Sequence, residues 1–177
     1  AKDNEGQTAL MMLCNHNNYK SYMVVSLLLQ NGADVNIKNN YGMTALRQAS
    51  EQGYTEFVAL LLNNGADINE KDKWSNTALK VACTGGHTHT VSYLLKKGAD
   101  VNTRDSYGNT ALDSSSKYGR NKEEIVPLIK NHIRRIELMK QVLKTALIIK
   151  KGLTKKKDKP LIPYAHREII HRIASFF

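Results

Sequence analysis

Short apolar blocks at helical spacing alternate along the chain with polar turns. In residues 57–62 the block is continuous, and a shorter amphipathic stretch precedes it, beginning at Thr44, which is suited to cap a helix. Gly53 marks a turn between the two stretches, and Gly65 ends the second. A helix pair this short cannot bury its own apolar face, so the pattern predicts helix pairs that stack on one another.

The same unit recurs along the sequence. NGADVN at 31–36, NGADIN at 64–69 and KGADVN at 97–102 follow one another at intervals of 33 residues. A second series consists of four Thr-Ala-Leu tripeptides, which begin at Thr8, Thr44, Thr77 and Thr110. Two motif series in a constant phase predict a solenoid of four copies, at about 1–36, 37–69, 70–102 and 103–132.

At these residues the chain resembles the ankyrin repeat family. The resemblance rests on Gly-x-Thr-Ala-Leu, on the turns Gly53-Tyr54 and Gly86-His87, on a Leu-Leu helix and on Gly-Ala-Asp-Val-Asn, and it covers residues 1–132. It implies an all-α fold, an ankyrin repeat solenoid of helix-turn-helix units and hairpin loops, here with C-terminal capping helices. The copies depart from the family pattern where it favours Pro, which is Ala here, and in the His that follows. That His is replaced by Met11, Arg47, Lys80 and Asp113.

Two copies differ in length from the others. Three extra residues in Asn15–Lys20 predict a longer turn in the first copy, and such 36-residue copies resemble those of ankyrin proteins of large DNA viruses. The fourth copy has an insertion of about two residues before Ile125 and lacks Gly-Ala-Asp, so we expect the stack to end there. Ala1-Lys2-Asp3 is in phase with the residues that follow a Gly-Ala-Asp motif, which favours a longer repeat array.

Aligning the copies on Thr places Tyr41, Trp74 and Tyr107 at one equivalent site, at the tip of each hairpin. We call these hairpins the fingers, and the spacing of repeats predicts an aromatic ridge along them. Exposed neighbouring aromatics are typical anchors of protein interfaces, although the rings alternatively pack on the neighbouring finger. The resemblance implies that a protein partner binds the fingers and the adjacent concave face. The other candidate contacts are Met43, Arg47, Asn76, Lys80, Asn109 and Tyr118.

The sequence contains no motif for catalysis, a metal or a cofactor. Phosphate loops, nucleophile elbows, HExxH and CxxC are absent, and His87 with His89 lacks a third ligand at a suitable spacing. We therefore predict no enzyme, and we predict that Cys14 and Cys83 fill small sites between helices. Asn36, Asn69 and Asn102 resemble asparagines that are hydroxylated in other ankyrin proteins, with hydrogen bonding within the hairpins as the alternative interpretation.

Positive charge is concentrated in the C-terminal part of the chain. The formal net charge is +10, but residues 1–132 carry 14 Lys and Arg against 13 Asp and Glu. Because there is no secretory signal and no long apolar run, we expect an intracellular protein in the cytoplasm (the host cytoplasm if it is viral) or the nucleus. We expect neither nucleic acid nor membrane as a partner.

Three segments follow the repeats. An apolar stripe within 133–150 predicts an amphipathic capping helix, with a basic membrane-surface helix as the alternative. Residues 151–159 form a basic linker, either a solvated connection or a nuclear import signal. Residues 160–177 resemble the start of an F-box, as in truncated ends of poxviral ankyrin proteins, with a terminal helix that packs back as the alternative. The resemblance is carried by Ile162, Pro163, Ile169, Ile170 and Ile173.

Together these features predict a protein–protein interaction module. If the C-terminal resemblance holds, it implies a substrate adaptor that joins a target on the repeats to a cullin ubiquitin ligase, through the ligase's F-box adaptor. The alternative is a scaffold or inhibitor whose repeats bind a partner alone, with the tail as a cap.

Overall fold

The fold consists of eight helices in the part of the chain that the structure describes. The structure is a computed structural model, and it describes residues 2–16 and 18–155, with side chains up to residue 148. The chain divides into two units, Ala1–Arg134 and Arg135–Phe177. The helices are α1 Ala9–Leu13, α2 Tyr19–Gln30, α3 Ala45–Gln52, α4 Thr55–Asn63, α5 Ala78–Gly85, α6 Thr88–Lys96, α7 Ala111–Tyr118 and α8 Lys122–Lys155.

A threonine caps the first helix of each pair, as predicted. The side-chain oxygen of Thr44 accepts a hydrogen bond from the backbone N–H of Arg47, and Thr77 does the same for Lys80. Thr8 and Thr110 repeat the arrangement at α1 and α7. Each cap satisfies an N–H that has no partner inside the helix, so the Thr series fixes where each pair begins.

The first helices form one layer and the second helices another. α3 packs on α1 and α5, α5 packs on α7, and α4 packs on α6. Leucines of the first helices, such as Leu46 and Leu79, are buried together with Phe57 and Val91 of the second helices. The core therefore lies between successive pairs, as expected for units that cannot bury their apolar faces alone.

The first copy has the longer turn that was predicted, whereas the insertion in the fourth copy is shorter than predicted. α1 ends at Leu13 and α2 begins at Tyr19, so residues 14–18 separate them, where only residues 53–54 separate α3 from α4. α1 has 5 residues where α3 has 8, and α2 has 12 where α4 has 9. In the fourth copy the turn between helices holds residues 119–121, one residue more than 86–87, so the insertion is one residue and not two. Asn121 takes the extra position with φ of +50°, and its amide donates to the Gly86 carbonyl at 2.9 Å.

Both cysteines are buried as core residues, as their small-residue sites predicted. Cys14 and Cys83 are free thiols, and burial raises the pKa of each to about 12. A thiol in this state is protonated at neutral pH and is therefore a poor nucleophile and metal ligand.

The unit Arg135–Phe177 is described as far as residue 155, where α8 ends. The helix predicted at 133–150 is not a separate element, because α8 begins at Lys122 and runs without a break into the predicted linker at 151–159. Neither Pro127 nor Gly152 ends it, although each is unfavourable inside a helix. Met139, Leu143 and Leu147 of the predicted stripe are exposed, and a capping role for this segment stays a prediction. Among the described helices, none is both long and apolar enough to cross a membrane.

Ser75 occupies a backbone conformation that glycine takes in the other fingers. Its φ is +61°, while Gly42 and Gly108 at the equivalent positions have φ of +75° and +79°. Because a side chain is disfavoured in this region, we expect Ser75→Gly to raise the free energy of unfolding by about 0.5–1 kcal/mol. Urea denaturation followed by circular dichroism would measure the change.

Gly108→Ser is the matched control, since a Cβ at Gly108 meets no atom within 4 Å and the substitution introduces backbone strain without a clash. It should destabilise by a similar amount. Loss of stability in Ser75→Gly would contradict the interpretation.

Candidate protein interface

An Asp or Asn side chain begins each of the four fingers and closes its turn. Oδ1 of Asp72 accepts hydrogen bonds from the backbone N–H groups of Trp74 and Asn76, at 2.9 and 2.8 Å. The same two bonds are made by Asp3, Asn39 and Asp105. This residue is not among the predicted site residues, although the sequence carries a signal for it: an Asp or Asn stands five positions before every Thr of the Thr-Ala-Leu series.

Backbone hydrogen bonds join each finger to the next. The N–H of Lys73 donates to the Tyr41 carbonyl and that of Ser106 donates to the Trp74 carbonyl, each at 3.0 Å. The N–H of Asn40 donates to the Glu5 carbonyl at 2.8 Å. These bonds hold the fingertips side by side, so the residues at the tips form a row whose backbone is fixed.

The aromatic residues lie in this row as predicted, but they do not form a uniform ridge. The rings of Tyr41 and Trp74 are stacked, with centroids 6.3 Å apart and planes inclined by 14°. They remain 44% and 43% exposed, whereas Tyr107 is 84% exposed. Packing on the neighbouring finger and exposure to a partner therefore coexist: the stack fixes two rings and leaves a face of each accessible.

Arg47 and Lys80 are not exposed contacts of the kind that the sequence suggested. Arg47 Nε donates to Asp72 Oδ2 at 3.2 Å, and its side chain is 9% exposed while that of Asp72 is fully buried. Lys80 forms the equivalent ion pair with Asp105. Each cation pairs with the Asp that begins the next finger, so these side chains join repeats. Their partners lie 25 residues away, and the pattern within a single repeat does not reveal them.

Burial also affects the ionisation of Lys80. It holds the pKa of the ammonium below its ordinary value, and the carboxylates of Asp72 and Asp113 oppose that shift. Asp113 follows the cap of α7, where hydrogen bonds from Thr110 hold the pKa of its carboxyl below the usual value. Both Lys80 and Asp113 therefore make contacts within the repeats.

A cleft of about 450 Å³ lies between the third and fourth repeats, beside the fingers. Tyr107 and Tyr118 line it, and Tyr118 is 75% exposed. The Lys80–Asp105 ion pair and the side chains of Asn76 and Asn109 also contribute to the lining. Asn76 donates to Asp72 Oδ2 at 3.3 Å, and the Asn109 carbonyl accepts from Lys80 Nζ at 3.4 Å. Met43, at the position of Asn76 in the preceding finger, is partly buried.

This arrangement of capped helix pairs and linked fingers agrees with the comparison with known families. A protein-family model described as "Ankyrin repeats (3 copies)" matches residues 1–72 and 69–141. The chain belongs to the ankyrin repeat family. Its fold is accordingly an all-α ankyrin solenoid, and the family supports a protein–protein interaction module of a kind that is typically not enzymatic. A search of curated proteins gave no match to the chain.

Two of the asparagines that end the Gly-Ala-Asp motifs make hydrogen bonds to the next repeat. The side chain of Asn36 accepts from the Asp67 N–H at 2.9 Å and donates to the Gly65 carbonyl at 3.0 Å. Asn69 accepts from the Asp100 N–H at 2.8 Å. Asn102 is exposed, and hydroxylation of these three residues stays a prediction.

His87 has a structural role in the turn of the third ankyrin repeat. Its Nε2 lies 2.8 Å from the Glu51 carbonyl of the preceding repeat. Among the described residues, no group of three His, Cys, Asp or Glu side chains is placed to hold a metal ion. The F-box-like residues Ile162, Pro163, Ile169, Ile170 and Ile173 lie outside the described part of the chain.

The Arg47–Asp72 pair can be tested against the first repeat, where the equivalent residues are Met11 and Asn39. Asp72→Asn keeps an oxygen for the turn but removes the buried carboxylate that pairs with Arg47 Nε, and leaves that guanidinium only the half-exposed carboxylate of Glu51 at 2.6 Å. We expect a loss of about 1–3 kcal/mol in the free energy of unfolding. Adding Arg47→Met should recover most of the loss, because it recreates the uncharged combination at the junction of the first two repeats.

Urea denaturation of the wild type, both single variants and the double variant gives the coupling energy between the two positions. Purely additive losses would show that the two side chains do not stabilise the junction together.

Proposed function

We propose that the chain binds a protein partner through the fingertip aromatics and the adjacent cleft between the third and fourth repeats. The observation that carries the proposal is the exposure of Tyr41, Trp74 and Tyr107 at one equivalent position of three linked fingers. Tyr and Trp are the side chains that most often dominate binding energy at protein interfaces.

The rigidity of the row supports binding as much as its composition does. The Tyr41 and Trp74 rings are already stacked, and the backbone beneath them is hydrogen-bonded to the neighbouring fingers. Groups that are ordered before association lose less conformational entropy when a partner binds. Exposed area of this kind therefore converts into affinity more efficiently than the same residues on a mobile loop.

Arg47 and Lys80 act as positioning residues in this proposal. Their charges are paired with Asp72 and Asp105, so they hold the second, third and fourth repeats in their relative orientation. In this proposal the partner does not bind to their charged groups directly. Tyr118, Asn76 and Asn109 extend the surface from the fingertips into the cleft.

We expect Trp74→Ala and Tyr107→Ala each to weaken binding of the repeat partner by about tenfold or more, because each removes a central aromatic contact. Tyr19→Ala is the matched control, since Tyr19 is 77% exposed but lies in the first turn of α2 and not at a fingertip. Quantitative mass spectrometry of proteins that co-purify from eukaryotic lysate would identify the partner, and titration with that partner would give the affinities. Equal recovery of the partner with the wild type, Trp74→Ala, Tyr107→Ala and Tyr19→Ala would contradict the proposed surface.

The finer form of the proposal is a substrate adaptor. In this form the repeats hold a target, and residues 160–177 bind the F-box adaptor of a cullin ubiquitin ligase in the host cytoplasm. This form is supported by the sequence resemblance at Ile162-Pro163 and at Ile169, Ile170 and Ile173. It is also supported by the separation of the two sites along the chain, since the proposed target surface lies within the repeats and the proposed ligase-binding segment follows them.

Truncation separates the adaptor from the scaffold or inhibitor alternative. A chain that ends at Lys159 should keep the repeat partner but lose F-box adaptor and cullin subunits from the co-purified set. If the intact and truncated chains bring down the same proteins without ligase subunits, the adaptor form is wrong and the repeats act alone. Because the Trp74 and Tyr107 variants test the repeats only, the two parts of the proposal fail independently.

A further inference from the structure

A second cleft adjoins the one between the third and fourth repeats. It has a volume of about 470 Å³, and Thr84 and Tyr118 line both clefts. Its remaining lining extends from Glu51 of the second repeat to Arg120, which follows α7. The two clefts are therefore parts of one depression, which we call the groove. It leads from Tyr107 at the tip of the fourth finger, past Tyr118, to the turn between α7 and α8.

The carboxylates along the groove already have partners within the repeats. Asp105 is paired with Lys80, and Glu51 Oε2 accepts from Arg47 Nη1 at 2.6 Å. Asp113, at the position of Lys80 in the fourth repeat, accepts hydrogen bonds at the start of α7. These negative charges are thus compensated inside the protein.

Two cations at the fourth-repeat end of the groove differ in this respect. Arg120 is exposed in the lining, and its backbone N–H donates to the Thr84 carbonyl at 3.3 Å, so the position of the residue is fixed. Lys117 is exposed at the position that Thr84 holds in the third repeat. Among the described residues, no group forms a hydrogen bond or an ion pair with either side-chain cation. This end of the groove is therefore suited to an anionic group.

The uncharged part of the groove offers contacts to a polypeptide. Tyr107 and Tyr118 are both exposed, and each presents an apolar ring that carries a hydroxyl. Asn109 lies in the lining between them and the Lys80–Asp105 pair, and its carboxamide makes no hydrogen bond within the described residues. A carboxamide donates and accepts as a peptide group does, so it can bond to the main chain of an extended segment.

We propose that the groove binds an acidic segment of the partner protein. Aspartate or glutamate carboxylates of this segment pair with Lys117 and Arg120, and an apolar side chain of it packs on Tyr118. The inference rests on the proposed function, because it names the chemistry of the segment that the same surface holds. Hydrogen bonds from ammonium and guanidinium groups to carboxylates are stronger than those between neutral groups, which makes such a segment preferred over an uncharged one.

A nucleic acid also combines negative charge with rings that stack on tyrosine, but it fits the groove less well. A nucleic acid strand carries a phosphate at every nucleotide along its length. The groove has its uncompensated cations at one end, and the carboxylates of Asp105 and Glu51 form part of its lining. A few acidic residues beside an apolar one match this distribution, whereas a continuous row of phosphates meets those carboxylates.

The test is a selection of short random peptides, displayed on phage, against the full chain. Peptides enriched by the wild type should carry clustered Asp or Glu beside an apolar residue. Lys117→Glu combined with Arg120→Glu should weaken their binding by about tenfold or more in a fluorescence-anisotropy titration, because attraction becomes repulsion. Added salt should weaken binding to the wild type more than binding to this variant, since it screens the attraction.

Lys20→Glu combined with Lys130→Glu is the matched control. Both lysines are exposed, and neither side chain makes a hydrogen bond or ion pair with another described residue. Their reversal changes the net charge by the same amount, so it reports on overall attraction alone. The control should bind the selected peptides as the wild type does, and both double variants should keep the wild-type urea midpoint.

Equal binding of the peptides by the wild type, the groove variant and the control would overturn the proposal, as would enrichment of peptides without acidic residues. So would tight binding of single-stranded oligothymidine that the groove variant loses, since phosphates would then be the ligand. The Trp74→Ala and Tyr107→Ala variants keep the two proposals apart. If these variants weaken binding of the repeat partner and the groove variant does not, the surface is right and the acidic chemistry is wrong.

Discussion

The carboxylates that begin the third and fourth fingers are the constraint on which their junctions depend, because each joins a local turn to the stacking of neighbouring repeats. One oxygen of Asp72 closes its own finger through two backbone N–H groups, while the other accepts from Arg47 of the preceding repeat. Asp105 does the same with Lys80. Since these carboxylates are buried, losing either set of bonds leaves a charge without compensation, and the finger and the junction are therefore formed together.

The fingers combine a fixed backbone with side chains at their tips that are free to differ from one repeat to the next. The tips are held by main-chain bonds that any residue can make, so the side chains at Tyr41, Trp74 and Tyr107 are not needed to fix the fingers. Their exposure differs because of their neighbours: Tyr41 and Trp74 stack on each other, while Tyr107 lies on the last described finger of the stack. Because the backbone already holds the fingers in place, exposed faces of these rings are available for binding.

The first and the last repeats of the described array differ in how far their apolar side chains are buried. At the last junction, Ile125 and Ile129 of α8 are fully buried, and the Glu124 carboxylate accepts from the hydroxyl of Thr88 at 2.9 Å. At the first repeat, the side chains of Met12 and Val24 are 41% and 43% exposed. The difference follows from position, since each junction buries the side of the later repeat that faces the preceding repeat, and the first repeat has no described neighbour on that side.

The sequence by itself determined the features that depend on short-range chemistry. Thr at a helix start, Gly at a helix end and the 33-residue period specify caps, turns and the number of helix pairs, because each is decided within a few residues. The aromatic site was predictable for the same reason, as alignment of the copies places it at the finger turn. The family and the all-α solenoid follow from these local signals.

Only the tertiary structure decided the roles of residues whose partners lie in another repeat. Arg47 and Lys80 read as surface charges within their own helices, yet they are buried because Asp72 and Asp105, 25 residues away, meet them across a junction. The length of α8 was equally undetermined, since the sequence predicted a separate helix within 133–150 and a linker at 151–159, whereas α8 runs from Lys122 to Lys155. The burial of Arg47 and Lys80 depends on contacts with another repeat, and the length of α8 depends on competition between weak local preferences. Neither can be derived from the sequence pattern of a single repeat.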